Sequence, residues 1–344
     1  MTRVLITGGN GFLGSHVARL LAGREEVDLV VAADVREGAS HDALHDGIHA
    51  VRLDVTEAAS IAPLLREHRI DTVVHLAAIV NPGADVELEY RVDVTGTANV
   101  LAACVEAGVE RIVVSSSGAA YGYHADSPDW IDESQPPRGN DVFPYSRHKR
   151  LVEEMLAEHR QAHPELEQVI FRIGTILGPD VQNQITALWD GRRILRIAGS
   201  DSPFVFVWVD DVAAAMVRAA TDGPVGIYNV SGDGSLTVPE IAARLRKPVL
   251  TVPAWALSFA LRVGRMLRLT PHGPEKVVFL RYRPVLANTR LKEEFGFTPS
   301  RTSAEAFEAF EAYTAAHPCT YSSQGGSSHG PTPDAGSSPG HTID

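Results

Sequence analysis

Along the first half of the chain, short apolar runs alternate with stretches in which apolar positions recur every three to four residues. Arg3–Thr7 is the first run, and it passes through a glycine-rich turn into a helical pattern from Phe12 to Leu21. Val27–Ala33, Ala50–Leu53, Thr72–Leu76, Arg111–Ser115 and Gln168–Ile173 repeat the run, while Ser60–His68, Val94–Ala107 and Ser146–Arg160 carry the helical period between them. Continuous apolar strands predict a sheet buried on both faces, and their alternation with helices predicts βαβ units. The expected fold class is α/β, a Rossmann-type doubly wound parallel sheet.

After Arg172 the strands become less regular and helices accumulate. Residues 1–171 are read as one domain, and residues 172–316 as a smaller C-terminal substrate-binding region partly interleaved with the main sheet. Thr237 and Glu240 have capping-box spacing, with Pro239 in the first turn. Asp210 and Asp211 are expected to N-cap a helix through Ala220. The Trp255–Leu269 helix, with its Arg residues, could touch a membrane surface, but it is expected to line a pocket or pack in the core. Residues 317–344 are rich in Gly, Ser, Pro and Thr, a composition that cannot bury enough surface to offset its ordering entropy; a disordered tail is expected.

Composition narrows the function. With 44% hydrophobic residues in 344, a large core can be buried. A net charge of −12 argues against nucleic acid as a main partner, because phosphate backbones need a basic face. It does not exclude a dinucleotide, which helix N-termini and backbone N–H groups can hold. The two cysteines, Cys104 and Cys319, imply neither a disulfide framework nor a Cys-based metal site. His41, His45 and His49 have helical ligand spacing, but Gly47 interrupts the segment and a surface loop is expected, with no metal. No signal sequence opens the chain, and the longest apolar stretch, Ala254 to Leu269, is cut by Arg262, Arg265 and Arg268. A cytoplasmic enzyme with no membrane span is expected.

The opening Val4-Leu5-Ile6-Thr7-Gly8-Gly9-Asn10-Gly11-Phe12-Leu13-Gly14 is a strand, a glycine loop and a helix start. Gly8 permits the tight turn, Gly11 lets the backbone approach a pyrophosphate, and Gly14 lets the helix pack on the strand. Asp34 ends the second run, twenty residues after Gly14. A carboxylate there can accept hydrogen bonds from ribose hydroxyls and repels a 2′-phosphate, which favours NAD over NADP. Arg36 keeps NADP open as the lesser alternative. Asp54-Val55 follows the third run, where an acid can meet the adenine amino group.

Tyr145 and Lys149 stand four residues apart on one helix face. A free phenol ionises well above neutral pH, but a lysine cation one turn away and the positive nicotinamide of an oxidised cofactor favour its phenolate. Such a phenol can exchange a proton while hydride moves to or from the cofactor, and the lysine can also bind a ribose. Upstream, Ser115-Ser116-Ser117-Gly118 ends a strand on the carboxyl edge where open α/β sheets bind ligands. A serine hydroxyl there can hydrogen-bond the substrate oxygen.

Together these residues resemble the extended short-chain dehydrogenase/reductase family, which includes NAD-dependent epimerases and dehydratases. The resemblance extends through His75-Leu76-Ala77-Ala78, Val92–Thr97, Ser115–Gly122, Arg172 with Gly178-Pro179, and Val207–Val212. It implies a catalytic set of Ser117, Tyr145 and Lys149. It implies cofactor contacts from Gly8, Asn10, Gly11, Phe12, Leu13, Asp34, Arg36, Asp54, Val55, Leu76, Ala77 and Ala78, joined by Tyr145 and Lys149. It also implies a homodimer through the helices at about 94–107 and 146–160.

Two departures stand out. Asp93 occupies a position where the family often has Asn, which puts a role for that amide in doubt. Nucleotide-sugar enzymes usually carry Asn soon after the residue matching Arg172 and an Arg before the Val-Asp-Asp segment; here the first is missing and Phe204 stands at the second. A diphosphate would lose a bidentate partner. The expected activity is NAD-dependent hydride transfer with a secondary alcohol or ketone that is not a nucleotide sugar. The alternative is an epimerase or dehydratase that oxidises a nucleotide sugar transiently.

Overall fold

The computed structural model describes residues 1–317 apart from 37–46, 81–84, 180, 182, 184, 268, 271, 272 and 274. His41 and His45 therefore lie outside the described residues, as does the tail from 318; His49 sits in a strand. Among the described residues no group of acidic, His or Cys side chains could hold a metal.

The apolar runs become strands β1 (Thr2–Thr7), β2 (Val27–Asp34), β3 (Ile48–Arg52), β4 (Thr72–His75), β5 (Arg111–Ser117) and β6 (Glu167–Ile173). They pair in parallel, and β10 (Gly226–Val230) joins beside β6, giving the order β10-β6-β5-β4-β1-β2-β3. Chain order reverses at β1, so β1 and β4 are neighbours and the crevice beyond their carboxyl ends is the switch point where open α/β sheets bind ligands. Right-handed crossovers from such strands place helices on both faces, which explains why Val4, Leu5 and Ile6 of β1 are fully buried.

On one face, α1 (Phe12–Ala22) packs with α6 (Val209–Thr221) through Val17, Leu21, Val212 and Met216. On the other lie α2 (Ala58–Glu67), α4 (Gly96–Ala107) and α5 (Pro144–Ala162), burying Ile61, Leu65, Leu101, Cys104, Val152 and Leu156. Short α3 (Val86–Tyr90) leads through a π-helical turn, Arg91–Thr95, into α4. Pro144 stands at the start of α5, where its fixed φ and missing N–H cost nothing.

The C-terminal part of the chain supplies α6, which covers the main sheet, and β10, which extends it. Its own layer holds two parallel pairs: β7 (Thr175–Leu177) with β9 (Phe206–Trp208), and β8 (Ile194–Ile197) with β11 (Val249–Val252). Helices α7 (Val238–Arg244), α8 (Ala254–Met266), α9 (Lys276–Arg281), α10 (Thr289–Glu293) and α11 (Ser303–Ala316) follow. Trp189, Phe204, Phe206 and Phe307 form its aromatic core. The capping box of Thr237 and Glu240 is present, and Thr302 with Glu305 forms another on α11.

Two expectations are corrected. Neither Asp210 nor Asp211 caps α6, because β9 runs straight into the helix and the cap falls on Trp208. Asp210 instead accepts from Trp208 Nε1 (3.1 Å), and Asp211 accepts from the Ser300 N–H (2.9 Å), tying α6 to the segment before α11. Nor does the Trp255–Leu269 stretch enter the core: α8 has no buried residue, and Trp255 and Phe259 are 75% and 66% exposed.

Candidate active site

The glycine loop bridges β1 and α1 at the switch point. Gly8 has φ +69°, a conformation that L side chains rarely adopt. A Cβ on Gly14 would lie 2.2 Å from the Gly8 carbonyl oxygen, so helix and loop approach as closely as they do only because Gly14 has none. Gly11 is the α1 N-cap and provides no side-chain cap. The first-turn N–H groups of α1 are therefore left without a side-chain cap, with the positive end of the helix dipole behind them, which suits a pyrophosphate.

Asp34 is buried at the end of β2. One carboxylate oxygen accepts from the Asn10 N–H (3.2 Å), the other from the Arg36 N–H (3.0 Å) and Nε (3.4 Å). Asn10 Nδ2 donates back to the Arg36 carbonyl (2.8 Å), so loop and strand end are held together. Arg36 thus turns toward Asp34, the arrangement that fits ribose hydroxyls better than a 2′-phosphate. Asp54 accepts from the N–H and hydroxyl of Thr56 at 2.8 and 2.7 Å, and Val55 packs on Gly96. The Leu76 and Ala77 N–H groups donate to Thr7 Oγ1 at 3.2 and 3.3 Å, which brings the Leu76–Ala78 segment against the glycine loop. These donors, acceptors and bare glycine backbone fit NAD.

Below this segment His75 is fully enclosed between Thr7 Oγ1 (2.7 Å) and Thr97 Oγ1 (3.0 Å). Burial, with the nearby Lys149 cation adding to it, pushes its imidazole down to about 3, so it is neutral at physiological pH.

The catalytic candidates come together on β5 and α5. Strand alternation turns Ser115 and Ser117 to one side and Ser116 to the other, where its hydroxyl donates to Glu153. Ser117 Oγ accepts from the Ala119 N–H (3.1 Å), which leaves its own O–H free to donate. Lys149 Nζ is buried, donates to the Ser115 carbonyl (2.8 Å) and stands 5.8 Å from the Tyr145 ring centroid. Tyr145 is half-buried and lies near Tyr123, which belongs to an aromatic cluster. Tyr123 packs edge-on against Phe143 (5.5 Å) and against Phe279 of α9 (5.1 Å). Burial, reinforced by Tyr145, pushes the Tyr123 phenol above its ordinary range, so it stays protonated. The Arg283 guanidinium lies 5.3 Å from Phe279 and 3.8 Å from Phe204. Phe204 and Arg283 in turn line a small pocket whose other walls, among them Trp189, Ile194 and Ile241, are apolar.

Asp93 has a role that a carboxylate fills well. It is buried, accepts from the Ile79 N–H (2.8 Å) and stands 3.1 Å from His148 Nδ1, so both neighbours are served as donors. It thereby joins the segment after β4 to the helix that carries Tyr145 and Lys149. Sequence reasoning missed this pairing, the Arg283–Phe204 stack, and the buried pair of Arg172 with Glu153 (Nη2 to Oε2, 2.6 Å). Only the last had a local signal: Tyr145, Lys149 and Glu153 follow each other in steps of four on α5.

The model of the NAD dependent epimerase/dehydratase family matches residues 4–231. The chain belongs to this family. The Thermus thermophilus UDP-glucose 4-epimerase, solved in complex with NAD, superposes with a TM-score of 0.71 at 26% identity over 92% of this chain and all of that one. An uncharacterized protein of Mycobacterium tuberculosis is 28% identical over 316 residues, 89% of this chain and 82% of its own. The decarboxylating sterol-4-alpha-carboxylate 3-dehydrogenase of Schizosaccharomyces pombe is 29% identical over 281 residues, 78% of this chain and 80% of its own. Family membership makes this chain an NAD-dependent enzyme of the epimerase/dehydratase type. No helix among the described residues is long and apolar enough to cross a membrane.

Proposed function

We propose that the enzyme is an NAD-dependent dehydrogenase/reductase acting on a secondary alcohol or its ketone of low polarity. One observation carries this reading: the aromatic wall of Tyr123, Phe143 and Phe279 beside Tyr145, continued through Arg283 to Phe204 and its apolar pocket. Phe204 stands where nucleotide-sugar enzymes of the family usually have an arginine. The similarity to a sterol dehydrogenase over most of both chains supports the same class.

Gly8, Asn10, Gly11, Phe12 and Leu13 hold the pyrophosphate, Asp34 with Arg36 the adenosine ribose, Asp54 and Val55 the adenine, and Leu76–Ala78 the middle of the dinucleotide. Bound NAD supplies the hydride acceptor. Ser117 donates a hydrogen bond to the substrate oxygen and fixes its position. Tyr145 removes the hydroxyl proton as the carbonyl forms, and returns it in the reverse direction. Lys149, anchored on the Ser115 carbonyl, places its cation beside Tyr145 and would hydrogen-bond the nicotinamide ribose. Residues 1–171 form the cofactor domain and 172–316 the substrate region. The reading includes a homodimer through α4 and α5 and a cytoplasmic site of action.

One feature favours a second reading, transient oxidation of a nucleotide sugar. Arg283 brings a cation to the same wall, with its Nη1 on Ser202 (3.0 Å) and its Nε buried and unpartnered. That guanidinium offers an anionic substrate a partner from a different position in sequence.

The test is nicotinamide absorbance with a panel of hydrophobic secondary alcohols and ketones. Net formation or consumption of NADH is expected. Tyr145→Phe should lower turnover by about 10²–10⁴-fold while sparing NAD affinity. Tight binding and turnover of a UDP-sugar with no net redox change would establish the second reading instead.

A further inference from the structure

Helix α8 presents a stripe that nothing among the described residues covers. Trp255, Phe259, Arg262 and Met266 fall in steps of four, three and four, which places them within one narrow arc of the helix. All four are exposed, Trp255 and Met266 at 75% each, and the exposed Leu267 and Leu269 extend the patch past the helix end. On β11, which leads into α8, Val249 and Leu250 are exposed as well. Single exposed apolar residues need no explanation, but a contiguous aromatic and aliphatic stripe marks an interaction surface.

Charge identifies the partner. The chain carries net charge −12, yet residues 241–274 contain no Asp or Glu and hold Arg244, Arg246, Lys247, Arg262, Arg265 and Arg268. Among the described residues Arg262, inside the apolar stripe, has no ion-pair partner, and Arg265 has Glu275 at 3.4 Å. An acid-free cationic segment that exposes Trp, Phe, Met and Leu fits an anionic lipid interface. There the rings and aliphatic chains enter the headgroup–acyl boundary, and the arginines reach the phosphates. Nucleic acid would use the cations and leave the aliphatic groups in water.

We propose that the α8 face docks the enzyme peripherally on an anionic membrane surface, with Trp255, Phe259 and Met266 inserted and Arg262 on lipid headgroups. This goes beyond the substrate reading and does not depend on it. The docked helix packs against α9, whose Phe279 belongs to the wall beside Tyr145.

The experiment is cosedimentation of the full chain with phosphatidylcholine vesicles, with and without phosphatidylserine, at low and high salt. Binding is expected on phosphatidylserine-containing vesicles, weakening as salt rises. Trp255→Ala/Phe259→Ala and, separately, Arg262→Gln/Arg265→Gln should each weaken partitioning by about tenfold or more. Their NAD affinity should match wild type, which shows that they fold. Failure of the wild type to bind phosphatidylserine vesicles would overturn the proposal, as would variants that bind like wild type. So would self-association dispersed by the Trp255/Phe259 variant without vesicle binding, or capture by polyglutamate alone; these would assign the face to a second copy or to an acidic polypeptide.

Discussion

Glu153→Gln isolates one charge at the centre of the fold. Glu153 of α5 and Arg172 of β6 are both buried, and Arg172 Nε reaches Oε1 and Oε2 at 3.1 and 2.9 Å, with Nη2 on Oε2 at 2.6 Å. Arg172 Nη1 also donates to the Tyr121 hydroxyl (2.8 Å), so the pair ties β6, α5 and the turn after β5 together. Glutamine keeps the shape but removes the negative charge, and one of its two oxygen positions becomes an N–H₂ facing donors from Arg172 and Ser116. An uncompensated buried charge costs about 3–5 kcal/mol, a large share of a total stability of about 5–15 kcal/mol. For a chain of this size that corresponds to a fall in Tm of roughly 4–7 °C. Urea unfolding at neutral pH, followed by circular dichroism, measures it as a lower midpoint. Glu153→Leu/Arg172→Met removes both charges and should recover at least half of the loss, because the pair must offset its own desolvation. A cost below about 1 kcal/mol for Glu153→Gln would refute the reasoning. It would mean that solvent reaches Arg172 and replaces the carboxylate.

Two further outcomes follow from the cofactor crevice. Gly14→Ala puts a methyl 2.2 Å from the Gly8 carbonyl oxygen. Overpacking of that kind costs about 1–3 kcal/mol, and here it displaces the phosphate loop, so NAD affinity measured by calorimetry should fall about 10- to 100-fold. Gly23→Ala, whose Cβ would come no nearer than 3.7 Å to any atom, is the matched control and should bind NAD normally. His75 gives the pH dependence: its folded value of about 3 lies below the unfolded 6.5, so the unfolded chain takes up the proton first and stability falls as pH drops below 6.5. Between pH 7 and pH 5 the loss is about 2 kcal/mol, and the full loss is reached only below pH 3. The urea midpoint of His75→Gln should shift less over that interval than that of wild type; an equal shift would assign the acid sensitivity to other groups.

The proposed cofactor side could be read from the chain because its features are local. Gly8, Gly11 and Gly14 act within a single loop, Asp34 ends the next strand, and Tyr145 and Lys149 meet by helical spacing alone. The capping box of Thr237 and Glu240 is legible for the same reason. Asp210 and Asp211 were misread because a capping residue needs a non-helical position before the helix, and only the strand-to-helix junction decides where that position falls. Phe204 could be recognised as a missing arginine. That Arg283, seventy-nine positions later, would lie 3.8 Å over its ring could not.

What the sequence determined by itself is the parallel α/β frame, the glycine loop between β1 and α1 and the helical spacing of Tyr145 and Lys149, since each is set by residues within a few turns of one another. Tertiary structure alone decided which ionisable groups are buried and what they meet: Glu153 with Arg172, Asp93 against His148 Nδ1, and His75 held neutral near Lys149. It also decided that α8 faces outward. The physical reason is the same in each case. Desolvation depends on every neighbour around a group, and those neighbours come from segments far apart along the chain.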